Sequence, residues 1–232
     1  MTLQAPFVAA PLRPHIPVEL AALTARARNG RLTEADKKTG ALLLADTLCD
    51  LLDFCFTDLM KELQREHPSR SIEMGLATSE NIKEKIHHYL GWIVTFLSSE
   101  RLVPVIEHYN SLVHEMTLHG QPQTVVAFPI SAALAAEASR VLGELRSGEA
   151  KNADEGMTLL IHAIEILLEP AILIPKDLMK FNFLVNKTLD GVISVVMALF
   201  KRELRKLGPQ LPRTHYPQVA QHLERFLIVS LP

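Results

Sequence analysis

Apolar residues recur at intervals of three and four over most of this chain, the period of an amphipathic helix, and rarely at the interval of two that marks a strand. In ALLLADTLCDLLDFCFTDLM, residues 41–60, the positions Asp46, Asp50, Asp53 and Thr57 form one polar stripe that continues at Lys61, with spacings of four, three, four and four. The pattern returns in MTLLIHAIEILLEP, residues 157–170, with Thr158, His162, Glu165 and Glu169, and in FNFLVNKTLDGVIS, residues 181–194, with Asn182, Asn186, Asp190 and Ser194. An ordinary surface helix has an apolar stripe little wider than about 100°. Here the proportions are reversed, and a narrow polar stripe runs along an otherwise apolar cylinder. Such helices are either wrapped by protein with the stripe outward, or turn their stripes toward a polar centre. Burying several carboxylates without a cation is costly, so the outward orientation is expected.

Punctuation divides the periodic segments. Prolines 6, 11, 14 and 17 make residues 1–17 an extended arm, ordered only if it lies across the body. A short helix follows in VELAALTARAR and stops at Asn29-Gly30. Thr33 with Asp36 makes an approximate capping box for a long helix that His67-Pro68 ends near Glu66. Another helix, starting at Thr78 or Ser79, carries Trp92. Ser98 opens a segment with Pro104 that reads as helix to His119-Gly120, and QPQTVVAFP, residues 121–129, reads as a loop with at most one strand-like turn. Further helices run from Ser131 to Gly148, from Asn152 and Glu155 to Pro170, from Pro175 to about Leu207, and from about Pro217 to Val229. The reading is an all-α protein, with one domain over residues 18–232 built as a bundle of about seven or eight helices behind the arm.

Composition adds a demand. Hydrophobic residues make up 48% of the chain, against 22% charged, and the mean hydropathy is +0.14. That excess needs an outlet in a large interior, an oligomer interface, a lipid-like ligand cavity or a membrane surface. The longest apolar runs, such as VISVVMALF at 192–200, reach about half of the roughly 20 residues that span a bilayer, so no transmembrane segment is expected. A net charge of −2 provides no field for nucleic acid. No basic residue precedes the short N-terminal apolar stretch, so no signal peptide is read and a cytoplasmic location is the default expectation. Cys49 and Cys55 would lie about 9 Å apart along a helix and read as two small buried side chains.

Candidate chemistry is sparse. Asp46, Asp50 and Asp53, at i, i+4 and i+7, have the spacing to hold a divalent cation, and Glu84 with His87 forms an ExxH pair that could join them. No second ExxH occurs, and the interval from His114 to His119 is one residue too long for HExxH. Nucleotide-binding glycine loops and the hydrolase elbow are absent, and no cofactor is implied. KRELRKLG, residues 201–208, places cations at a helix C-terminus, where they complement the dipole. The functional expectation is a non-catalytic protein that binds a partner, a second copy of itself or a hydrophobic small ligand through apolar helix surfaces, with Leu159, Leu168, Phe181, Phe183, Val196 and Phe200 as the candidate contacts. The alternative is a metal-dependent enzyme using Asp46, Asp50 and Asp53 with Glu84 and His87, or with the His162/Glu165 pair.

Overall fold

The computed structural model describes residues 6–118, 120–151 and 153–228. It is 76% helical and carries a small four-stranded sheet. Eight helices are present among the described residues: α1 (His15–Arg28), α2 (34–66), α3 (Arg70–Ile93), α4 (Ser99–Ser111), α5 (Ala132–Ser147), α6 (Asp154–Leu178), α7 (Phe183–Leu207) and α8 (Tyr216–Glu224). The strands are β1 (Phe7–Pro11), β2 (Val113–Leu118), β3 (Gln121–Pro129) and β4 (Leu227–Ile228), antiparallel in the order β2-β3-β1-β4.

The arm expected over residues 1–17 is extended over Phe7–Pro11, where it lies in the body as an inner strand, and gives way to α1 at His15, before Pro17; residues 1–5 fall outside the described region. FVAAP suits an inner position because both faces are covered. Val8 and Ala10 join the main core with Val126 and Phe128, and Phe7 and Ala9 pack with Val125 and Ala127 in a smaller cluster on the other face. The sheet corrects two expectations. The helix read to His119-Gly120 ends at Ser111, and the next residues alternate as VHEMTL in β2; His119 itself lies outside the described residues. The segment read as a loop is the nine-residue strand β3, paired over its full length with β2 or β1.

Other boundaries follow from local chemistry. Thr33 caps α2 by accepting from the Asp36 N–H while the Asp36 carboxylate accepts from the Thr33 N–H, the reciprocal box read from the sequence. Ser69 caps α3, which starts at Arg70 and not at Thr78 or Ser79. Ala153 precedes α6 without a side-chain cap, and the expected cap Asn152 lies outside the described residues. The last helix ends at Glu224, short of Val229, and the chain continues into β4.

Two helices contain a π-helical turn, Asp53–Thr57 in α2 and Glu169–Leu173 in α6. The second explains why α6 runs through both prolines that were expected to bound two helices. Pro175 has no N–H to give the carbonyl of Ala171 four residues back. The Tyr109 hydroxyl of α4 donates to that oxygen, and His108 Nε2 donates to the Pro170 oxygen at 2.7 Å. The break comes later, at 179–182, where Lys180 adopts φ +49° and Asn182 caps α7 by accepting from the Val185 N–H.

Candidate functional site

Helices α2, α3, α6 and α7 pack around the middle of the bundle. The contacting face of α7 contains Val185, Leu189, Val192, Ile193, Val196, Met197, Phe200, Leu204 and Leu207, at spacings of three, four and one, as a helix surface requires. Its two ends are well seated. Val185 and Leu189 are buried at one end, and Phe200, Leu204 and Leu207 at the other. Close backbone approach fixes the second end, since a Cβ at Gly208 would come within 3.0 Å of the Asp154 Cα at the start of α6. Between them, from Asp190 to Leu199, no residue is buried, and Val192, Ile193, Val196 and Met197 are only half-covered. On α3, Ile86, Tyr89 and Leu90 are half-covered in the same way.

The unfilled space forms a cavity of two adjoining lobes, of about 160 and 110 Å³. Leu48, Ile86, Leu168, Ala171, Ile172, Val196 and Met197 line both lobes. One lobe extends past Leu44, Tyr89, Tyr109, Phe181 and Leu189; the other extends past Leu51, Cys55, Ile164, Leu167 and Phe200. Both π turns contribute lining residues, Cys55 from one and Ala171 and Ile172 from the other. Burial pushes the Cys55 thiol up to about 12, so it is a neutral apolar wall group and not a nucleophile. Neither cysteine is disulfide-bonded.

Of the six contacts named from the sequence, Leu168, Phe181, Val196 and Phe200 line this cavity. Leu159 does not, being fully buried in the core of α6. Phe183 stands on the outside at 78% exposure, beside Leu184 at 74%, with Val195 further along at 58%. Sequence reasoning missed the contribution of α3 and of the π turns. The helical period of Ile86, Tyr89, Leu90 and Ile93 was a usable signal, but nothing in the one-dimensional pattern distinguishes a face that meets a cavity from one that meets another side chain.

The carboxylate stripe is also assembled, with a different consequence. Asp46, Asp50 and Asp53 face a polar groove shared with Glu80, Lys83, Glu84 and His87 of α3, with Arg13 at its edge. The stripe is neither fully outward nor in the core: all three aspartates are half-buried. Two cations occupy the positions between them. Arg13 Nε lies 2.8 Å from Asp50 and its Nη2 3.4 Å from Asp46, while Lys83 Nζ lies 2.9 Å from Asp53 and 2.7 Å from Glu80. Desolvation raises the Asp50 pKa, opposed by the hydrogen bond and charge of Arg13. Among the described residues no group of three or more His, Cys, Asp or Glu side chains has the arrangement of a metal site. Thr57 leaves the stripe altogether. The π turn rotates it inward, where it is fully buried and its hydroxyl lies 2.6 Å from that of Ser79.

The other two stripes point outward. Glu165 pairs with Lys201, Asp190 sits 2.5 Å from Lys176, and His162 lies 3.8 Å from Glu137. By length and composition alone, α6 and the segment 183–210 could each cross a membrane, with windows of mean hydropathy 1.9 and 1.6, and only 17% of the second window is buried. The sequence expectation of no transmembrane segment rested on unbroken apolar runs, which Asp190, Ser194 and their counterparts on α6 interrupt; the windows register the breadth of the apolar surface around those stripes. No protein-family model matches this chain, and no curated protein or solved structure matches it.

Proposed function

We propose that this protein is a non-catalytic binder of a hydrophobic small molecule, held in the cavity beneath α7. The observation that carries the reading is the half-covered stretch of α7 between two buried ends, facing an apolar space that α2, α3, α4 and α6 leave open. Packed interiors rarely contain voids larger than a water molecule. An apolar cavity of about 150 Å³ is enough to stay dry and bind benzene, and the two lobes, at about 160 and 110 Å³, are of that order and adjoin. Both are walled mainly by aliphatic and aromatic side chains, which can bury a hydrocarbon.

The direct test is solvent extraction of the purified protein followed by mass spectrometry, together with titration by the neutral fluorophore Nile red. A stoichiometric hydrophobic compound, or saturable probe binding that Val196→Trp removes, supports the reading. Extracts without such a compound and no saturable binding reject it.

A second reading draws on the outer face of α7. Phe183, Leu184 and Val195 are exposed there, and exposed apolar side chains of this size can serve as interaction contacts. That surface suits a partner protein or a second copy of the chain, and two-fold pairing is the commonest form of self-association. Native mass spectrometry reports copy number and co-purified ligand in the same spectrum, so the two readings can be weighed on one sample.

A further inference from the structure

We infer that the ligand is a single-chain amphiphile whose anionic headgroup sits at Lys85, with Lys176 lining the same lobe; the inference rests on the proposed cavity. The two lobes differ in polarity. The lobe reaching Leu51, Cys55 and Phe200 has no charged lining residue, whereas the lobe reaching Tyr89 and Phe181 has two, and both are lysines. Neither lobe is lined by a carboxylate. A molecule filling both therefore needs one end that is hydrocarbon, because a polar group in the first lobe would lose its water without gaining a partner. Its other end meets the stems of the two lysines and no carboxylate.

The two lysines belong to different helices, Lys85 to α3 and Lys176 to α6. Their states differ. Lys176 is largely buried and already paired, with Nζ 2.5 Å from Asp190 of α7 and 3.8 Å from Asp177. Lys85 is exposed and takes part in no ion pair among the described residues, so its charge is the uncompensated one. The aliphatic stem of a lysine packs along apolar surface while its ammonium stays near water, which is the posture needed at the mouth of a hydrocarbon pocket. A lysine attracts a carboxylate or a phosphate as a point charge, without the planar selectivity of a guanidinium. The shared requirement is the negative charge, and the two headgroups are distinguished by experiment.

Three probes of equal chain length, dodecanoate, dodecyl phosphate and dodecanol, are titrated into the full-length protein below their micellar concentrations by calorimetry. At least one of the anions is expected to bind tenfold or more tightly than dodecanol, and the stronger of the two identifies the headgroup class. Lys85→Met, at an exposed position, should bring that anion to the affinity of dodecanol. Dodecanol binding as tightly as both anions, or an anion preference that survives in Lys85→Met, overturns the headgroup assignment and leaves the cavity reading standing. If none of the three binds, both fall together.

Discussion

His222 of α8 donates from Nε2 to the backbone oxygen of Cys55, 3.2 Å away, in the π turn of α2, and His108 of α4 does the same for Pro170 in the π turn of α6. A π turn shifts hydrogen bonding from four residues to five and disturbs the regular pairing of carbonyls around it. Each widened turn beside the cavity is thus supported by an imidazole from another helix. His222 is almost fully buried, and desolvation lowers its pKa, opposed by the Cys55 hydrogen bond and by Glu62, whose carboxylate lies 3.9 Å from Nδ1, with Arg225 adding to the depression.

The sign of the pH effect follows. An unfolded His222 takes up a proton near pH 6.5, whereas the folded one resists it to lower pH. Between those values the unfolded state binds more protons, so stability is full above about pH 6.5 and declines as the pH falls below it. Urea melts at pH 7.5 and 5.5 should show this decline, and His222→Gln should flatten it. Removing the donor with His222→Leu should cost about 1–3 kcal/mol even at pH 7.5, the price of an unpaired buried carbonyl. An acid limb equally steep in His222→Gln would assign the pH dependence to other groups.

Tyr109 and Pro175 form a linked pair. The Tyr109 hydroxyl serves the Ala171 oxygen that Pro175 cannot. Tyr109→Phe should therefore destabilise by about 1–3 kcal/mol, and by distinctly less in a Pro175→Ala background, where a backbone N–H is restored. A double-mutant cycle with denaturant unfolding measures the difference. Equal costs in both backgrounds would mean that the hydroxyl stabilises by some other contact.

This pair also marks where sequence reasoning stopped. Helical period and caps revealed most of the bundle, down to the reciprocal box at Thr33 and Asp36, because those signals are local. The continuity of α6 through Pro170 and Pro175 depends on His108 and Tyr109, about 60 residues away in the chain, and no pattern near the prolines encodes it. The sheet was hidden for a related reason. FVAAP is too short and too uniformly apolar for period to speak, and its strand character comes from pairing with residues near 125 and 228. At the candidate site, the segments around Leu168 and Val196 were legible as surfaces short of polar cover. That Leu159 is core and Phe183 is outside depends on how the helices are rotated about their axes, which the pattern leaves open.

The carboxylate groove tests the metal reading. Asp50 is paired with Arg13, but Arg13 is about half exposed, at 49%. Solvent screening limits such a pair, so Asp50→Asn should cost no more than about 1 kcal/mol. Because Arg13 and Lys83 already pair with the three aspartates, magnesium or zinc at millimolar concentration should leave Tm unchanged in the native protein. A metal-dependent rise in Tm that Asp50→Asn abolishes would instead favour a metal-dependent enzyme.

Substitutions along α6 and α7 should separate core, surface and cavity, three environments that sequence alone had grouped together. Leu159→Ala, in the core, should cost about 2–5 kcal/mol. Phe183→Asp, on the outer face, should stay within about 0.5 kcal/mol in the monomer, as surface changes do; a larger loss that depends on protein concentration would reveal an assembly using that face. Val196→Phe is the decisive case. In a filled core the added ring would be expected to cost about 1–3 kcal/mol through overpacking, but beneath α7 it enters open apolar space and gains contacts that valine does not make. The expected result is an unchanged or raised Tm together with loss of Nile red binding. Destabilisation on the overpacking scale, with probe binding intact, would place the probe elsewhere and would mean that α7 closes over the space in solution.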